Sequence, residues 1–211
     1  MRVVREARVI RAVNIAAKVV FVLLLLHAVV FPDLEQYQGK GMGYRIALYP
    51  ISLVLVPTVW WFRGRRAGAP VRPYPDLIDL CVVLPFLLDT AGNAANLYDT
   101  LWWWDDAMHV LTWIPLVVAF GLTLRYWPHG RLVTIGLTIG FGAVVHILWE
   151  VAEYVTFVAD NPNESASAYR DTIGDLVNSL CGSIIGALLV GTVLWNSQNP
   201  NIGAAVSSGD T

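Results

Sequence analysis

The chain alternates long apolar segments with short polar ones, and six of the apolar segments are long enough to cross a membrane. A transmembrane helix needs about 20 predominantly apolar residues. The six segments cover approximately residues 12–31, 45–62, 77–95, 105–125, 131–158 and 172–195. We therefore predict an all-α integral membrane protein, folded as a bundle of about six transmembrane helices.

The composition agrees with this fold class and excludes one class of partner. Hydrophobic residues make up 56% of the chain and charged residues only 14%, against about 25% charged residues in soluble domains. The net charge of −2, without an extended basic patch, argues against nucleic acid. We predict a single six-helix transmembrane domain over residues 1–195 and a polar, disordered, cytoplasmic tail over residues 196–211, with membrane lipids as the surrounding partners.

The distribution of Lys and Arg predicts the orientation in the membrane. Six helices place both termini on one side. Of the 14 Lys and Arg residues, only Lys40, Arg45 and Arg170 fall on the opposite side. Because cytoplasmic loops carry the excess of positive charge, we predict that both termini are cytoplasmic. Lys18, near the start of the first helix, is expected to extend its ammonium group to the lipid headgroups.

Ionisable residues recur inside or beside the apolar segments of the second half of the chain. A charge at the centre of a transmembrane helix costs about 2.5–3.5 kcal/mol on insertion scales, so a compensating interaction is expected. The predicted topology brings these residues to the outer side of the bundle. They are Asp105, Asp106, His109, His146, Glu150, Glu153, Asp171 and Asp175.

The spacing of these residues predicts that they share helix faces. Residues four and seven apart lie on one face of an α-helix, and three segments follow this rule. The three sets are Asp105 and His109; His146, Glu150 and Glu153; and Asp171, Asp175 and Asn178. Since lipid cannot solvate them, we expect the three faces to point into the bundle and form a polar pocket near the outer leaflet. Glycines at 136/140 and 182/186 are predicted to allow close helix packing.

Histidine together with several carboxylates is a ligand set for Zn, Mn or Fe. The candidate ligands of a divalent metal ion are Asp105, His109, Glu150, Glu153, Asp171 and Asp175. The same groups could act as acid and base on a headgroup, with Glu150, His109 and Glu153 as candidate catalytic residues. Alternatively, they relay protons or ions, or they only cap helices and set the register of the bundle. No HExxH motif is present to decide between these uses.

Three ordered motifs, DDAMH, EVAEY and DTIGDLVNSLCGSIIG, give the chain a family resemblance. It resembles the YjdF-type bacterial inner-membrane proteins of unknown function and is more distantly similar to the VanZ-like family. The positions that match the VanZ-like pattern are Asp105, His109, Glu150, Arg170, Asp175, Gly182 and Gly186. The chain departs from that pattern at Asp106, Glu153 and Ser179, where lysine, glutamine and asparagine are usual. The resemblance implies a multi-pass protein of the bacterial inner membrane and brings no established reaction.

The leading functional hypothesis is therefore the binding or chemical modification of a lipid or lipid-linked envelope headgroup. The alternatives are non-enzymatic proton or ion transport, and a structural membrane protein with a buried polar network. The oligomeric state stays open.

Overall fold

The computed structural model describes residues 2–65, 73–124, 127, 130–155 and 165–198. The described residues form helices and no strand. Most of the predicted polar tail, residues 199–211, lies outside the described residues.

Among the described residues, six helical segments have the length and hydropathy of membrane spans, which confirms the predicted fold class. The helices are α1 (Arg2–Val30), α2 (Met42–Leu48), α3 (Pro50–Gly64), α4 (Asp76–Ala94), α5 (Leu97–Thr100), α6 (Trp104–Leu124), α7 (Arg131–Glu153), α8 (Ser165–Gly191) and α9 (Val193–Gln198). The second span comprises α2 and α3, which meet where Pro50 begins the new helix, and the sixth comprises α8 and α9. Helix α1 begins well before residue 12, because the Arg-rich segment ahead of the apolar run has no helix breaker.

Large apolar side chains cover much of the helix surface. Leu23, Val54 and Leu148 are each more than half exposed, which is the pattern of side chains that face lipid. The few buried positions are enriched in small and polar residues, as expected where helices associate without a hydrophobic driving force between them.

The chain divides into two compact units, Met1–Met108 and His109–Thr211, which we call unit 1 and unit 2 and describe separately. The core of unit 1 contains Phe21 and Leu25 of α1, Tyr49 between α2 and α3, and Val83 of α4. These residues join the first three spans.

In unit 2, glycines bring α8 into close contact with α6. A Cβ atom at Gly182 would lie 2.5 Å from the carbonyl oxygen of Val110, and one at Gly186 would lie 2.8 Å from that of Ile114. Only glycine permits this approach. The second predicted pair, Gly136 and Gly140 in α7, has no neighbour within 4 Å among the described residues, so the packing prediction fails for that pair.

Candidate functional site

One face of α7 carries the buried residues of that helix at every fourth position. They are Thr134, Thr138, Gly142, His146 and Glu150. A spacing of four nearly matches the 3.6 residues of a helical turn, so these residues form one stripe. A Cβ atom at Gly142 would lie 2.7 Å from the Cβ of Ser183 and 2.9 Å from Val117. The stripe therefore faces both α8 and α6.

His146 is almost completely enclosed in unit 2. Its side chain is 2% exposed, and its Nε2 atom lies 3.2 Å from Oε1 of Glu150, which is 8% exposed. The rings of Trp113 and His109 approach it edge-on, with centroids 5.0 Å and 5.5 Å away. The ring also interacts with the backbone of Asp175 in α8, but neither ring nitrogen makes a hydrogen bond of regular geometry to the described residues. A buried polar group in this condition is costly unless a further partner binds it.

His109 connects α6 to two consecutive turns of α8. Its Nε2 lies 3.2 Å from Oδ1 of Asp175, and its Nδ1 lies 3.2 Å from Oγ of Ser179. Asp175 is 5% exposed and Ser179 is completely buried. The ring orientation of His109 is thus defined by contacts on both of its nitrogens.

These contacts bring together a donor set suitable for a metal ion. One donor atom each from His109, His146 and Glu150 lie within 4.8 Å of one another. Ligand bonds of about 2.1 Å in a tetrahedral zinc site separate the donor atoms by roughly 3.4 Å, so a zinc ion would require donor atoms near the 4.8 Å limit to move closer together. Two imidazoles and one glutamate are also the ligand set of one class of catalytic zinc sites, which leaves the fourth position open.

Unit 1 contains a separate polar cluster around Asp89, in which every carboxylate oxygen has a donor. Oδ2 accepts hydrogen bonds from Arg45 Nε and the Tyr49 hydroxyl, both at 2.8 Å. Oδ1 accepts from the Tyr98 hydroxyl at 2.8 Å and from Asn93 Nδ2 at 3.3 Å. Burial raises the pKa of Tyr98, and the nearby Asp89 charge raises it further, so this phenol stays a neutral donor. Both oxygens of the Asp89 carboxylate are therefore paired, although Asn93 Oδ1 has no hydrogen-bond partner among the described residues, and we interpret the cluster as structural.

The family model described as "Predicted membrane protein (DUF2238)" matches residues 15–196. The chain belongs to this family. The match confirms the resemblance to YjdF-type proteins, whereas similarity to the VanZ-like family stays a prediction. No curated protein and no solved structure matches this DUF2238 protein.

The structure of this DUF2238 protein brings together three of the residues singled out from the sequence, His109, Glu150 and Asp175. Glu153 is half-buried three residues beyond Glu150, and Asp171 is exposed. Neither belongs to the group of close donor atoms in unit 2. Asp105 lies in the first turn of α6, one turn before His109 in the chain, and belongs to unit 1. The roles of all these residues as ligands or catalysts remain predictions.

Two residues of the site in this DUF2238 protein were absent from the predicted ligand set. His146 shares the helix face of Glu150, so the spacing of four was the signal that favoured it. Ser179 follows Asp175 by the same spacing, but a serine inside an apolar segment has no distinctive pattern. Its contact with His109 joins residues 70 positions apart, which no local rule predicts.

Proposed function

We propose that this membrane protein binds a divalent transition-metal ion, zinc foremost, through His109, His146 and Glu150. The observation that carries the proposal is the approach of their donor atoms to within 4.8 Å. The buried His146 ring supports it, since neither nitrogen has a regular hydrogen bond. A metal ion would use this imidazole as a ligand and offset the cost of burying it.

The contacts of His109 are consistent with a ligand role. A metal-bound histidine usually donates its other ring N–H to an oxygen, which sets the tautomer and the ring orientation. If Nδ1–H donates to Ser179 Oγ at 3.2 Å, Nε2 carries the lone pair needed for a metal. Asp175, 3.2 Å from Nε2, then supplies a carboxylate beside the ion.

The position of the site along the helices favours a headgroup as the substrate. His109 lies five residues after the start of α6, or about 8 Å from that helix end. Glu150 lies three residues before the last α-helical residue of α7, and the helix continues as a π-turn through residues 154–155. In a bilayer whose hydrocarbon core the spans just cross, headgroups and their phosphate or ester linkages would lie near this depth. His109, His146 and Glu150 would hold a metal that supplies Lewis-acid polarisation of a phosphoryl or carbonyl oxygen. In a hydrolysis, Asp175 or Glu153 would accept a proton from the attacking water and return it to the oxygen of the leaving group. The proposed substrate is a lipid or lipid-linked envelope headgroup in a bacterial inner membrane.

Metal content tests the first part of the proposal. The protein is reconstituted with zinc and freed of excess metal, and its metal content is measured by inductively coupled plasma mass spectrometry. We expect one equivalent for the wild type, a loss for His146→Gln and Glu150→Gln, and retention for the control Glu153→Gln. Substitution with cobalt(II) should add visible absorption bands typical of tetrahedral coordination. A wild-type protein without stoichiometric metal would refute the proposal.

Lipid analysis tests the second part. Protein in vesicles of bacterial lipids is incubated with and without zinc, and the extracted lipids are examined by mass spectrometry. A zinc-dependent mass change that Glu150→Gln abolishes would support headgroup modification. Unchanged lipids, with no headgroup retained on the purified protein, would refute the substrate class even where the metal binds.

The contacts of His109 with both Ser179 and Asp175 support a second candidate function, nucleophilic catalysis by serine. In the other tautomer of His109, Nε2–H donates to Asp175 and Nδ1 accepts the Ser179 proton, which are the roles of a catalytic triad with the two ring nitrogens exchanged. The complete burial of Ser179 places this candidate second. A fluorophosphonate probe that labels the wild type but not Ser179→Ala would favour it over the metal site.

A further inference from the structure

Unit 1 contains another buried polar cluster, centred on Asp79 in the first turn of α4. Asp79 precedes Asp89 by ten residues on the same helix, a separation of about 15 Å along the axis. Its contacts come from Asn14 and Lys18 of α1 and from Tyr74, just before α4. The cluster is independent of the proposed metal site, which lies in unit 2.

The donors around Asp79 all meet one of its two oxygens. Oδ2 lies 2.6 Å from Lys18 Nζ, 2.6 Å from the Tyr74 hydroxyl and 2.9 Å from Asn14 Nδ2. Lys18 Nζ also donates to the backbone carbonyl of Leu53 at 3.1 Å. The expectation that Lys18 reaches the headgroups is therefore wrong, because its ammonium group is held between α4 and α3.

Two acceptor atoms of the cluster have no donor. Oδ1 of Asp79 and Oδ1 of Asn14 have no hydrogen-bond partner among the described residues, although the two residues are only 1% and 3% exposed. The two side chains already contact each other through their other polar atoms, because Asn14 Nδ2 donates to Asp79 Oδ2. Asp89 differs, since donors contact both of its oxygens.

Rotating the Asn14 amide would not supply the missing donor to the cluster as a whole. Its Nδ2 atom donates to Asp79 Oδ2 and lies 3.4 Å from Asp76 Oδ1. Exchanging its oxygen and nitrogen would direct the amide oxygen at two carboxylates, which offer no proton in their ionised form. The two unpaired oxygens therefore have no proton donor or cation among the described residues, and an external proton donor or cation would satisfy them.

The charges of the cluster favour a cation over water. Asp76 and Asp79 carry two formal negative charges and Lys18 one positive charge, which leaves a formal charge of −1. Water would satisfy the oxygens but would add no positive charge to these three described residues. The candidate ligand atoms are all oxygens, which suits hard cations rather than zinc. A divalent ion such as Ca²⁺ generally takes six to eight oxygen ligands, whereas one monovalent cation balances the formal charge of −1.

We propose that Asp79 Oδ1 and Asn14 Oδ1 form a binding site for an alkali cation of the sodium class. Asp76 adds negative charge beside it. The ion links α1 to α4, the two helices that contribute its ligands, and its binding stabilises the folded state of unit 1.

Thermal unfolding of the full chain in nanodiscs tests the site. Melting temperatures are compared in sodium chloride and in choline chloride at equal ionic strength. At saturating sodium we expect a rise of about 2–4 °C for the wild type. Asp79→Asn and Asn14→Leu should abolish the rise. Asp89→Asn, the matched carboxylate of the same helix, should lower stability but keep the sodium increment.

Binding of radioactive sodium in a scintillation proximity assay gives a second measurement. It tests the site even if the Asp79→Asn variant does not fold. The site is supported if unlabelled sodium chloride, but not choline chloride, displaces the bound radioactive sodium. The Asn14→Leu variant should bind no radioactive sodium. Equal melting temperatures in the two salts would overturn it, because a bound water shows no such dependence. An increment that persists in Asn14→Leu would also overturn it.

Discussion

Nε2 of His109 lies 3.2 Å from Oδ1 of Asp175, and both side chains are largely buried. The Nδ1 atom of the same ring meets Ser179, one turn further along α8. A single imidazole thus contacts two successive turns of one helix. Which nitrogen carries the proton decides whether this arrangement can ligate a metal or activate a serine.

Ser179→Ala tests the role of the serine as the partner that orients His109. If His109 is a metal ligand, loss of this contact should weaken zinc affinity by about 10–100-fold while one equivalent still binds. Competition with a chromophoric chelator measures the affinity. Ser183→Ala is the control, because Ser183 donates to the backbone carbonyl of Ser179 and not to the ring. Equal affinities for all three proteins would contradict the prediction.

Gly182→Ala should destabilise unit 2 through its contact with α6. The added Cβ would lie 2.5 Å from the Val110 carbonyl oxygen, so the backbones must separate, at an expected cost of about 1–3 kcal/mol in unfolding free energy. Gly136→Ala meets nothing within 4 Å and should instead stabilise its helix by about 0.5–1 kcal/mol. Denaturant titration followed by circular dichroism measures both. Similar losses in the two variants would refute this account of the packing.

Arg45→Met should be far more damaging than Lys40→Met, although both remove a cation from an ion pair. Arg45 and Asp89 are 18% and 15% exposed, whereas Lys40 and Asp99 are 27% and 43% exposed. Breaking a buried pair leaves an uncompensated charge and costs about 3–5 kcal/mol; an exposed pair contributes about 0–1 kcal/mol. Melting temperatures in detergent should separate the two variants clearly, and equal shifts would count against the difference in burial as the cause.

Cysteine labelling tests the orientation predicted from the positive charges. With both termini cytoplasmic, Thr100→Cys should react with an impermeant maleimide from the periplasmic side, and Gly64→Cys only after the membrane is opened. A cysteine near Asn163, which lies outside the described residues, should also react from the periplasmic side. The background should carry Cys181→Ala, because Cys181 is exposed while Cys81 is buried. The reverse labelling pattern would indicate the opposite topology, with the proposed site at the cytoplasmic side.

The pattern along the chain was sufficient to predict the six spans and the shared face of His146 and Glu150. Both depend on local geometry: a span needs only enough apolar residues, and residues four apart adjoin on any α-helix. The helix ends were less predictable, since α1 continues through the Arg-rich segment, where no apolar pattern marks it.

Only the tertiary structure decided which polar faces meet. It places His109 beside Asp175 and Ser179, leaves Asp171 exposed, and joins Asn14 to Asp79 across 65 positions of the chain. Helical spacing defines a face but not its rotation towards a neighbour. In unit 2 that rotation follows from the close approach of α6 and α8 at Gly182 and Gly186, an interaction between distant segments that the hydrophobic pattern of neither segment contains.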